Sequence, residues 1–162
     1  MISRRALWWM LVVVLTVAVA GAASFGTWQL VRPIPADSTQ LRQTVIDIAK
    51  SSTVKLLSYT PQNVDSLRTD AVAVTTGAFR DSYSDLVNDV VIPGAKEKNI
   101  TAVAQVPALA VESLTADTAV LIVFVNQTVT VGSEAPTDTA SSVRERLRNV
   151  DGAWLIEAFD PL

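Results

Sequence analysis

The stretch VRERLRNVDGAWLIEAF, residues 143–159, decides the fold. Asp151-Gly152 stands between two runs of strand-forming residues, and such a dipeptide is a strong short-range signal for a two-residue hairpin. With the turn placed there, Val150 is expected opposite Ala153, Arg148 opposite Leu155, Arg146 opposite Glu157 and Arg144 opposite Phe159. Directly opposed residues share a face of the sheet. Arg144, Arg146 and Arg148 therefore line one face with Glu157 among them. Val143, Leu147, Trp154 and Ile156 line the other, which is expected to meet the core.

Upstream, residues 119–131 read AVLIVFVNQTVTV. The run is apolar and β-branched on both faces, which predicts a central strand covered on both sides. It is too short to cross a bilayer as a helix. Residues 132–138 form a polar loop before the strand at 139–150. Residues 100–114 make one more strand, rich in Val and Ala. Pro107 inside it requires an edge position or a bulge.

Before Ile100 the period is helical. Asp37 or Ser38 caps a first helix that carries Leu41, Val45, Ile48, Ala49, Ser52 and Leu56 on one face. Thr60-Pro61 breaks it. A second helix is expected from Asn63 to Thr76, with Val64, Leu67, Ala71 and Val74 inward. Gly77 separates it from a third, which carries Phe79, Tyr83, Leu86, Val87 and Val90. Pro93-Gly94 is expected to kink or end that helix, with room for a final turn from Ala95 to Lys98. Helices first and strands afterwards define an α+β domain, three helices packed on a curved four-stranded antiparallel sheet.

Ahead of this domain lies a stretch of another kind. No charged residue occurs between Arg5 and Arg32. That is long enough for a membrane-spanning helix. Trp8 and Trp28 lie twenty residues apart, roughly 30 Å along a helix, matching an interfacial aromatic at each end. Sites such as Ala18-Val19-Ala20 also suit a cleaved signal peptide. Apolar character resumes beyond them at Phe25, Trp28, Leu30 and Val31, which favours an anchor. The chain thus divides into residues 1–32, a cytoplasmic N-terminus and anchor, and residues 33–162, an exported domain. Arg4 and Arg5 before the span, against Arg32 after it, place the N-terminus inside. Ala18, Ala22 and Gly26 recur every four residues and form a smooth stripe, suited to close packing on another membrane helix.

Composition narrows the function. The chain has no Cys and no His, so it lacks a Cys-based metal site and the commonest general base and transition-metal ligand. Residues 33–162 carry 10 Lys and Arg against 16 Asp and Glu, a net charge of −6. That argues against nucleic acid as a partner. Asp65, Asp70, Asp81, Asp85 and Asp89 crowd the second and third helices, but no calcium-loop pattern accompanies them, and a solvated acidic face accounts for them. Tyr59 and Tyr83 suit core positions with the hydroxyl at the rim. The sequons at Asn99 and Asn126 fall on or beside strands and are set aside. Arg144, Arg146 and Arg148 read either as a solvated sheet face with a cross-strand ion pair or as a contact strip for an acidic partner or lipid headgroups.

Several short motifs form a familiar series: Leu57-Ser58-Tyr59, Val64-Asp65-Ser66-Leu67, Thr76-Gly77-Ala78-Phe79 with Tyr83, Val123-Phe124-Val125-Asn126-Gln127, and Trp154-Leu155 after the turn. In this the chain resembles the Mce-associated membrane proteins of mycobacteria and related actinobacteria. The resemblance implies a membrane-tethered NTF2-like domain, similar also to VirB8-type assembly proteins. It implies a non-enzymatic accessory subunit of a lipid transporter of the Mce type, partnered by a permease, the hexameric Mce proteins and the lipid bilayer of the inner membrane. No catalytic residue and no cofactor come with it. The alternatives are a tethered NTF2-like domain that binds a lipid or small ligand, and a VirB8-like assembly factor of another envelope complex.

Overall fold

The computed structural model describes residues 36–162. The proposed anchor and its stripe, Ala18, Ala22 and Gly26, lie outside them. Among the described residues no helix is long and apolar enough to cross a membrane.

Helix α1 spans Ala36–Leu57 and α2 spans Ser66–Val74. Helix α3, Gly77–Leu86, continues through a π-helical turn, Val87–Val91, into α4, Ile92–Lys98. Four strands follow: β1, Ile100–Leu114; β2, Thr118–Val131; β3, Thr137–Val150; and β4, Ala153–Pro161. They form one antiparallel sheet in the order β1-β2-β3-β4.

The core follows from the helical and strand periods. Val45, Ala49, Thr53 and Leu56 make one buried stripe on α1. From the sheet, Leu121 and Val123 of β2, Leu147 of β3 and Ile156 of β4 meet it, all fully buried. Each such aliphatic side chain contributes about 1.5–3 kcal/mol on burial. The end of α1 is closed by distant side chains. Tyr83 Oη donates to the Leu56 carbonyl at 2.5 Å and Gln127 Nε2 to that of Leu57 at 2.9 Å. These satisfy carbonyls that a helix C-terminus leaves without partners. Tyr59 then pairs with Ala102 of β1 through two 2.8 Å backbone bonds.

Several expectations need correction. Pro93 does not end the third helix, and the final turn to Lys98 is present as part of α4. The π-helical turn before it resets the bonding ladder, so Pro93 falls in the first turn of α4, where its missing N–H is harmless. Leu86, the last residue of α3, and Val90, within the π-helical turn, are exposed instead of buried. Strand β2 is central but covered on one face only: Ala119, Leu121, Val123 and Val125 are buried, whereas Val120 and Ile122 are half-buried and Phe124 is 46% exposed on the outer side. The helices all lie on the other face. Finally, α2 starts at Ser66, because Asn63 Oδ1 instead closes a turn by accepting from Thr60 N at 2.7 Å. It stops at Val74, because Thr75 and Thr76 extend to bridge Ile156 on β4.

The turn at Asp151-Gly152 is as expected. Both residues have positive φ, 52° and 88°, the requirement of a type I′ turn. Pro107 sits at a bulge on the edge strand β1, between Gln105 and Ala108.

Candidate functional site

The hairpin places Arg144, Arg146 and Arg148 together on the outer face of β3, all exposed. The register differs from expectation beyond Ile156. A β-bulge between Arg146 and Leu147 makes Glu157 the extra residue on β4, so Arg146 faces Ala158 and Arg144 faces Asp160. A bulge re-aims the side chain it carries. Glu157 turns to Arg148 and accepts from its Nε at 2.5 Å. On the far side of β2, Glu112 occupies a second bulge between Val111 and Ser113 and pairs with Arg144 at 3.1 Å. Each neighbouring glutamate thus neutralises one outer arginine of the ladder. Arg146, between them, has no ion-pair partner among the described residues. Around it lie Val120 and Ile122 of β2 and Ala158 of β4. The face therefore offers one guanidinium without an ion-pair partner among the described residues, set in a half-apolar surface with Asp160 exposed nearby.

The opposite face of the same strand holds a carboxyl group that the sequence reading did not single out. Glu145 is fully buried. Leu121 and Phe159 lie opposite it on the flanking strands. Its Oε2 accepts from Thr53 Oγ1 of α1 at 2.9 Å, while Oε1 has no hydrogen-bond partner among the described residues. Burial disfavours the charged form and pushes the carboxyl up to about 8, against a smaller lowering by the Thr53 hydrogen bond. At neutral pH it is mainly a neutral acid. The signal was present in the alternation: residues 143, 145 and 147 share a face, and two of them are Val and Leu.

The remaining candidates are structural. Asp65 pairs with Lys96 at 2.7 Å and Asp70 with Lys55 at 3.2 Å. Asp81, Asp85 and Asp89 are exposed. Among the described residues no cluster of three potential ligands could hold a metal. Tyr83, raised above the usual tyrosine range by burial, serves the end of α1 as described. Asn99 is the left-handed cap of α4, with φ 54°.

The helices-on-sheet arrangement with its order β1-β2-β3-β4 is that of an NTF2-like domain. The chain belongs to the Rv1363c/MT1408-like family of uncharacterized proteins, whose model matches residues 6–152. It is 48% identical over 126 residues to a Mycobacterium tuberculosis protein named outer membrane protein Rv1973, covering 78% of this chain and 79% of that one. Among solved structures, an IcmL-like type IV secretion system protein from Legionella pneumophila superposes with a TM-score of 0.62 at 8% identity, covering 75% of this chain and 91% of that one. CagV, a VirB8 homolog from Helicobacter pylori, gives 0.56 at 12% identity, with 72% and 98% covered. An NTF2-like superfamily protein from Salmonella enterica gives 0.54 at 10% identity, with 75% and 92% covered. These likenesses establish the fold.

Proposed function

We propose that the protein is a non-catalytic accessory subunit of an envelope complex, held in the inner membrane by residues 6–31 with its NTF2-like domain outside the cytoplasm. The observation that carries this reading is the packed interior between helices and sheet. Its buried carboxyl, Glu145, is hydrogen-bonded to Thr53, and among the described residues no second titratable side chain is hydrogen-bonded to it to make an acid–base pair. The sheet's outer face, with Arg146 and its apolar surroundings, is left for contact. NTF2-like domains also serve as enzymes, and the fold alone does not choose. The motif resemblance favours an Mce-type lipid transporter as the complex. The type IV secretion proteins among the structural neighbours favour a second reading, an assembly factor of another envelope machine.

The test is copurification of a tagged full-length chain from native membranes, followed by mass spectrometry. Recovery of a permease and Mce proteins supports the first reading. Recovery of a different envelope complex supports the second. A protein recovered from the outer membrane fraction, as the name of its relative suggests, overturns the inner-membrane anchor.

A further inference from the structure

At the end of the outer face remote from the Asp151-Gly152 turn, the surface changes character. Strand β4 stops at Pro161 opposite Val143, so the beginning of β3 has β2 on one side and no strand on the other. There a groove of about 420 Å³ opens over β1, β2 and β3. This lies within the roughly 300–1,000 Å³ of small-molecule sites. Gln105 and Asn126 stand directly opposite one another across β1 and β2. Ala140, opposite Asn126 on β3, keeps the middle of the groove low. Thr128 and Asp138 form the next row and bond to each other through Thr128 Oγ1 and Asp138 Oδ1 at 2.5 Å. Beyond the groove's own lining, the row on the other side contains Phe124, 46% exposed.

The hydrogen-bonding groups here are unspent. The side-chain amides of Gln105 and Asn126 are exposed and make no hydrogen bond within the described residues, and Asp138 Oδ2 is also free. Each primary amide supplies both a donor and an acceptor, and the carboxylate supplies acceptors. An apolar ligand would leave these groups without partners. A phosphate or other anion would meet Asp138 with no cation in the lining. A polycation would find a single carboxylate. The groups suit a neutral ligand that carries donors and acceptors on adjacent atoms and has one apolar face to lay against Phe124.

We propose that this groove binds a neutral carbohydrate, one or two sugar rings, with vicinal hydroxyls held by Gln105, Asn126 and Asp138 and the C–H face of a ring on Phe124. The open side beyond β3 lets a longer saccharide run off the protein. The ligand is thus either a free oligosaccharide or a segment of an uncharged polysaccharide. The site is separate from Arg146 and independent of the reading under Proposed function.

The full-length chain in detergent micelles is titrated with soluble neutral oligosaccharides of glucose, mannose, galactose, arabinose and N-acetylglucosamine, and with an oligouronate as the anionic control. Binding is read by calorimetry. Cosedimentation with the corresponding insoluble polysaccharides distinguishes polymer from free sugar. At least one neutral sugar is expected to bind and the oligouronate to fail. Phe124→Ala and Asn126→Ala are each expected to weaken binding about tenfold, with the fold retained in both and the melting temperature unchanged for Asn126→Ala, whose side chain is exposed. Arg146→Ala is expected to leave binding intact. No binding by any neutral sugar overturns the proposal, as does binding that survives both groove substitutions. So does a wild-type dimer that Phe124→Ala converts to a monomer without sugar binding, since the face then belongs to a second copy of the chain.

Discussion

Thr53 on α1 donates a 2.9 Å hydrogen bond to Glu145 on β3, across 92 residues of chain and inside an aliphatic core. The bond ties the first helix to the middle of the sheet. Glu145 Oε1 has no partner among the described residues. Burial of this carboxyl makes stability depend on pH. The unfolded chain releases the proton near pH 4.5, the folded chain only near 8. Between these values the unfolded state binds fewer protons, so stability falls as pH rises. The loss levels off above pH 8 and is on the order of 5 kcal/mol. Glu145→Gln keeps the shape and cannot ionise. Urea unfolding of the purified chain from pH 5 to 9 should show the slope in the wild type and its removal in the variant, which becomes the more stable protein at pH 9. Equal slopes in the two would assign the pH dependence to other groups.

The hydroxyl side of the same contact can be removed alone. Thr53→Val is nearly isosteric and strips Glu145 of its one hydrogen bond. It should cost about 1–3 kcal/mol at pH 5, where the acid is neutral. In the Glu145→Leu background the same change should cost much less, because no polar atom is left stranded. A double-mutant cycle measures the difference; additive effects would mean the hydrogen bond contributes nothing.

Gly152 has φ 88°, and a Cβ placed on it would touch nothing within 4 Å. The expected penalty of a side chain there is therefore one of backbone conformation. Gly152→Val should destabilise by about 1–3 kcal/mol, and Gly152→Asn by less, since Asn tolerates the left-handed region. Thermal melts of the two variants read the order. A valine variant as stable as wild type would show that the hairpin can relocate its turn.

Arg146 has no ion-pair partner among the described residues, and its neighbours on the ladder are neutralised by Glu112 and Glu157. Arg146→Glu should change folding stability by no more than about 0.5 kcal/mol yet reduce copurification with the envelope partner severalfold. Arg148→Ala breaks an exposed ion pair with Glu157, which solvent screens, and should change stability little. If Arg146→Glu copurifies as well as wild type, the arginine strip is a solvated face.

The chain contains no Cys, so single cysteines report topology cleanly. Ser133 lies exposed in the β2–β3 loop. An impermeant thiol reagent on wall-permeabilised cells should label Ser133→Cys and spare Ser3→Cys, as the arginines flanking the span require. In the same membranes, Ala22→Leu with Gly26→Leu should insert normally but lose the partner complex, because bulky residues block close helix packing. The reverse labelling would invert the topology, and full copurification of the double variant would move docking to the exported domain.

Local pattern was enough for much of this protein. Strand alternation and the Asp151-Gly152 turn placed the last hairpin and set Val143, Leu147, Trp154 and Ile156 inward, because side-chain direction in a strand depends only on parity. The helical stripe of Val45, Ala49 and Leu56 was legible for the same kind of reason. Tertiary structure decided the rest. Thr75 and Thr76 leave their helix because Ile156 offers a bridge. The glutamates at 112 and 157 reach arginines because bulges shift register by one residue, and a bulge arises from how paired strands twist together. The outer side of β2 is bare because the three helices gather on one face of the sheet. Glu145 was inward by parity alone; that it lies fully buried with a single hydrogen bond, and so holds its proton at neutral pH, depends on Thr53 arriving from a helix far away in sequence.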